Sequence, residues 1–162
     1  MSDPLARAKD VALRYLAASP RTEAQVRARL ARAELSGAAD EVVAWLVRLG
    51  YLDDAAYARA RARALVAPGR VGPRLAERRL VTAGIDRGAA REAVAGAVAG
   101  AGPGGEGEAA LCRILAEKRA RTTELAALDD RARARLARFL LGRGFSGSAV
   151  ARMLGVYEDA AG

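Results

Sequence analysis

The chain has 162 residues, is 52% hydrophobic, and carries 27 basic against 19 acidic side chains for a net charge of +8, with no histidine. Alanine supplies 41 of the apolar residues, so any core must be filled by scattered leucine, valine and isoleucine. These totals argue against histidine-based catalysis, exclude an internal disulfide because Cys112 is single, and, with aromatics at 4%, disfavour stacking of unpaired bases. The excess charge is almost wholly arginine and is spread along the chain: +3 over residues 1–66, +3 over 67–102 and +2 over 103–162. Such a surface favours polyanions or an acidic protein face.

Helical periodicity dominates from the start, and no alternating strand pattern is found. The opening Met1-Ser2-Asp3-Pro4 lacks a basic stretch followed by an apolar run, so no signal peptide is expected and the cytoplasm is the default location. The first helix is predicted over 5–18, with Val11, Tyr15 and Leu16 as its apolar stripe. Pro20 discourages its continuation, and Thr22-x-x-Gln25 is a capping box for the next helix. Gly50-Tyr51-Leu52-Asp53-Asp54 ends one helix and opens another. Gly50 suits the left-handed position after a C-terminus, Asp53 can cap the helix over 53–66, and Leu52 and Tyr57 have the spacing of a hydrophobic staple. Pro68 and Gly69 mark a short break, after which Gly72-Pro73 starts a further helix. Gly100-Ala101-Gly102-Pro103-Gly104-Gly105-Glu106-Gly107 reads as a flexible linker. Beyond it a helix over 108–121 is expected to bury Leu111, Ile114 and Leu115, with Lys118 covering the edge and Cys112 as a small core residue.

Three groups of three helices emerge from internal repetition. A leucine near the end of each middle helix is followed five residues later by an apolar residue and then by a capping residue: Leu30…Leu35-Ser36, Leu80…Ile85-Asp86 and Leu140…Phe145-Ser146. Gly84 and Gly144 fill the C-terminal position of the second and third units, where the first has Glu34, so its turn is expected to differ. Each unit is near or below the size that folds alone, so neighbours should pack together.

No chemistry-bearing constellation accompanies this scaffold. There is no cysteine cluster for zinc and no strand–Gly-loop–helix for phosphate. Asp53-Asp54 and Asp129-Asp130 read as helix caps. What remains is surface. On the helix from Pro73, Ala76, Leu80 and Ala83 share the inner face, Arg74 and Arg78 the outer, with Arg79 near the core edge. On the helix from Asp129, Ala132, Leu136, Phe139 and Leu140 face in and Arg131, Arg135 and Arg138 out; Arg29 and Arg32 border the equivalent face of the first unit. Rows of guanidinium groups suit phosphate or carboxylate partners.

Gly50-Tyr51-Leu52-Asp53-Asp54-x-x-Tyr57-Ala58, then Gly72-x-x-Leu75 and Leu80-x-x-x-Gly84-Ile85, and finally Arg143-Gly144-Phe145-Ser146, resemble the RecX family of RecA-regulatory proteins. Ala12-x-x-Tyr15-Leu16 and Arg21-Thr22-x-x-Gln25-Val26-x-x-x-Leu30 look like its opening, with Gln25-Val26 in place of the usual Glu-Leu, and Tyr57 stands where phenylalanine is common. The resemblance implies an all-α fold of three tandem three-helix repeats, over 1–51, 52–101 and 102–157, in an elongated, curved right-handed or crescent-like array. It implies a non-enzymatic monomer with no cofactor and no metal that binds RecA, chiefly as its DNA filament, opposes filament growth, ATP turnover and strand exchange, and so modulates recombinational repair and the SOS response. Contacts to RecA or DNA are expected from Arg70, Arg74, Arg78, Arg79, Arg131, Arg135 and Arg138, while Gly50, Leu52, Asp53, Asp54, Tyr57, Gly72, Leu80 and Gly84 are expected to be structural. The alternative is a DNA-binding transcriptional regulator, because Leu140-x-x-x-Gly144-x-x-x-x-x-Val150 has helix-turn-helix spacing, although its second helix offers only Ser148 and Arg152 as base readers.

Overall fold

The computed structural model describes residues 3–67, 69–101 and 107–155, and these residues form helices and no strands. The first three helices are α1 (Pro4–Ala18), α2 (Glu23–Arg32) and α3 (Ala39–Arg48). Next come α4 (Asp54–Val66), α5 (Pro73–Thr82) and α6 (Arg87–Ala99), then α7 (Gly107–Ala120), α8 (Asp130–Gly142) and α9 (Gly147–Met153). Pro68 and most of the glycine-rich linker, residues 102–106, lie outside the described residues. Gly107, the last residue of the stretch that reads as a linker, is instead the buried first residue of α7. A side chain there would press on Val98 of α6.

Local chemistry sets the helix starts. Thr22 and Gln25 form the reciprocal capping box, and Asp53, Asp86, Asp129 and Ser146 each accept a hydrogen bond from the first turn of the following helix. Gly72 is the residue before α5, with Pro73 opening the helix. Ser36 departs from expectation. It starts a 3-10 turn, Ser36–Ala38, and α3 begins at Ala39 with no side-chain cap.

Side chains divide between two cores. One gathers Val26, Leu30, Leu35, Val42, Val43, Leu46 and Leu52 around Ala8 and Ala12 of α1. The second runs unbroken from α4 to α9, through Val66, Leu80, Val94, Leu111, Leu140 and Phe145. The first three helices therefore carry a core of their own, while the last six share one. Small alanines at the buried positions let the leading helices approach closely, so Val11, Tyr15 and Leu16 flank the deepest residues of α1 rather than being them. In α7 the buried face is Leu111, Cys112 and Ala116, and Ile114, assigned to that face from sequence, is 44% exposed. Leu52 joins the first core and Tyr57 packs on the second, so the residues expected to staple one helix entry divide between the two.

The three middle helices end alike. Leu35, Ile85 and Phe145 each donate their N–H to the carbonyl of the leucine five residues earlier (Leu30, Leu80, Leu140), and Glu34, Gly84 and Gly144 donate to Ala31, Val81 and Leu141. Glu34 adopts the left-handed conformation at φ +58, as Gly84 does at +95 and Gly144 at +93. The first turn thus has the same form as the others, contrary to the expectation drawn from its glutamate.

Candidate partner-binding surface

The repeated turn explains how the units dock. The end of α8 sits on the start of α5: Gly72 N–H donates to Arg143 O at 2.7 Å, and Arg74 N–H to Gly144 O at 3.0 Å. A Cβ at Gly144 would strike Leu75, and one at Gly72 would strike the Gly144–Phe145 peptide. The end of α5 sits on the start of α2 in the same sense. The Thr22 hydroxyl donates to Ala83 O, and a Cβ at Gly84 would collide with that of Ala24. Each junction satisfies carbonyls left over at one helix end with donors at another helix start, backbone N–H groups at α5 and the Thr22 hydroxyl at α2, and brings opposite ends of helix dipoles together. Two carboxylates support the framework. Asp54 accepts from Glu23 N–H at 2.9 Å across the first junction, and Glu108 accepts from Ser146 N–H at 2.6 Å between α7 and α9. Thr22, fully buried, both accepts from Gln25 N–H and donates to Ala83.

This framework holds the arginines outward. Arg74 and Arg78 are exposed on α5, and Arg131, Arg135 and Arg138 on α8. Arg79 is exposed as well rather than at the core edge. Arg70 is exposed in the loop before α5, where its carbonyl accepts from the Arg143 guanidinium. None of the seven forms an ion pair among the described residues; the pairs present are Arg14–Asp10, Arg27–Asp40 and Arg113–Glu117. The structure does not gather the seven into one patch. Arg74 and Arg78 line a groove with Arg87 and Arg91 of α6, whereas Arg135 lines a separate hollow with Arg119 of α7. Arg87 and Arg91 are not among the arginines expected from sequence, because they lie on a different helix from Arg74 and Arg78. Their spacing of four residues after the Asp86 cap was the available signal. A third concavity lies at the first junction, between α1, α2 and the end of α5, with Arg14, Arg29 and Arg32 in its lining.

Leu52 and Leu80 are buried, Gly50 is left-handed at φ +76, Asp53 caps α4 by accepting from Ala56 N–H at 2.9 Å, and Asp54 ties the first junction. Cys112 is buried, and desolvation together with the nearby Glu108 carboxylate pushes its thiol up to about 12. Among the described residues there is no cluster of three or more metal-ligating side chains, and no helix is long and apolar enough to cross a membrane.

Comparison with known proteins locates this architecture. The family model for the first three-helix domain of RecX matches residues 8–46, and that for the third three-helix domain of RecX matches residues 106–154. Together they cover more than half of the chain. A regulatory protein RecX of Lactobacillus delbrueckii subsp. bulgaricus, strain ATCC BAA-365 / Lb-18, is 45% identical over 82 residues, and its counterpart in strain ATCC 11842 is 44% identical over the same length. Each match takes in 50% of this chain and 30% of the relative's own length. The crystal structure of RecX from Lactobacillus salivarius is similar in fold, with a TM-score of 0.80 at 22% identity, covering 98% of this chain and 99% of that one. A second crystal structure, of a regulatory protein RecX, gives 0.78 at 24% identity, covering 95% and 74%.

Proposed function

The chain belongs to the RecX family, and from that premise we propose that it binds the RecA recombinase as a filament on DNA and inhibits filament growth, ATP turnover and strand exchange. The observation that carries the reading is the set of exposed arginines on α5 and on α8, none of them ion-paired among the described residues. A repeated surface is suited to a repeated partner, since equivalent contacts from successive units add without reorganising the protein. The repeats span 1–51, 52–101 and 102–157, and the last two act together through their shared core. Action is stoichiometric and cytoplasmic, without cofactor or catalysis. DNA in the filament adds contacts through the same arginines.

Transcriptional DNA reading is not favoured. The turn between α8 and α9 is used to dock α5, and α9 exposes only Gly147, Ser148 and Arg152. Binding to RecA-coated duplex DNA and to bare duplex DNA discriminates the two. Preference for the coated form supports the proposal, and equal or tighter sequence-dependent binding to bare duplex rejects it.

A further inference from the structure

The groove between α5 and α6 is bounded at one side by the end of α8 and has a volume of about 650 Å³. Arg74 and Arg78 stand one turn apart on α5, and Arg87 and Arg91 one turn apart on α6. None of the four is ion-paired among the described residues, and Glu77 is the single carboxylate in the lining. The same lining contains two aliphatic side chains that water does not favour, Val81 at 38% exposure and Leu141 at 47%. They occupy the same register of α5 and α8, each three residues after an exposed arginine, Arg78 and Arg138.

We propose that this groove takes an acidic peptide segment bearing an aliphatic side chain, presented by a protein partner. It deepens the reading above by giving the chemistry of one protein contact. Successive arginines on each wall are about 6 Å apart, and alternate side chains of an extended peptide recur at about 6.7 Å, so carboxylates on one face meet successive guanidinium forks. An aliphatic side chain then covers Val81 and Leu141, which four cations alone leave uncovered. A nucleic-acid strand matches the charge but not the apolar pair, and no aromatic ring lines the groove for a base to stack on.

The test is fluorescence anisotropy with the full chain and a short labelled peptide in which glutamates flank one leucine. Saturable binding is expected. Arg87→Gln with Arg91→Gln should weaken it about tenfold, as charge-assisted pairs are lost. Leu141→Ser, which leaves the charge unchanged, should weaken it about fivefold. Both variants should melt as the parent does by circular dichroism; if Leu141→Ser does not, replacing the peptide's leucine by serine gives the same test without altering the protein. Absence of binding overturns the proposal. So does indifference to the leucine, which would make the groove a general polyanion site, and so does more effective displacement by single-stranded oligothymidylate than by unlabelled peptide. RecA filament inhibition is read separately. A protein that binds the peptide but leaves filaments unaffected retains this groove and rejects the filament reading, whereas inhibition without peptide binding does the reverse.

Discussion

A Cβ added to Gly84 would collide with the Cβ of Ala24, in the neighbouring repeat. The glycine is therefore required twice, once for its φ of +95 and once for the close approach of α5 to α2. Glu34 occupies the same place in the first unit with φ +58, but its side chain is exposed. The two positions should respond oppositely to exchange. Gly84→Ala should cost roughly 2–3 kcal/mol, from overpacking and left-handed strain. Glu34→Gly should be neutral or stabilise by about 0.5 kcal/mol, because strain is relieved against a more flexible unfolded chain. Urea unfolding of the two variants beside the parent measures both signs.

The adjacent aspartates separate into distinct jobs. Asp53 caps its own helix, whereas Asp54 accepts the Glu23 N–H of the neighbouring repeat. Asp53→Asn should be nearly neutral and Asp53→Ala should cost about 1 kcal/mol. Asp54→Ala should cost about 1–2 kcal/mol by leaving a part-buried N–H unpaired. Hydrogen exchange should show its added effect at Glu23 and the start of α2, far along the chain from the substitution. Protection lost only within α4 would contradict the junction role.

Replacing Arg74 and Arg78 together by Gln keeps helix propensity and removes two exposed charges. Thermal stability should change little. Affinity for the RecA filament should fall and its salt dependence should weaken. Undiminished inhibition across a salt series would place the binding surface elsewhere.

Cys112 should be inert in the folded protein. With its thiol held at about 12, alkylation by iodoacetamide at pH 8 should be slow until denaturant is added. The raised value means that the unfolded chain loses this proton first. The stability contribution is therefore complete below about pH 9 and is lost as pH rises through about 12. Rapid native-state labelling at pH 8 would contradict the burial.

Much of this was legible because capping and turn chemistry is local. Thr22-Gln25, Asp53, Gly72-Pro73, Asp86 and Ser146 announce helix starts within a few residues, and the recurring leucine-to-cap spacing announces the repeat. What was not legible depends on neighbours distant in the chain. Nothing local to Asp54 says that its oxygen serves Glu23, and nothing local to Glu34 says that glycine is needed at the equivalent position only where another repeat docks. The shared core of the last six helices was hidden because alanine-rich faces, such as that of α4, match several partners equally well. Arg87 and Arg91 were missed since a groove built by two helices leaves no mark on the periodicity of either. The partner entered through family resemblance, not through composition or spacing.

The most direct measurement is a titration of the protein into preformed RecA filaments, recording ATP hydrolysis and filament length together. Both should fall in a saturable, stoichiometric manner, and Arg74→Gln with Arg78→Gln should shift the titration to higher concentration. Filaments that keep their length and ATP turnover at saturating protein would contradict the proposed inhibition.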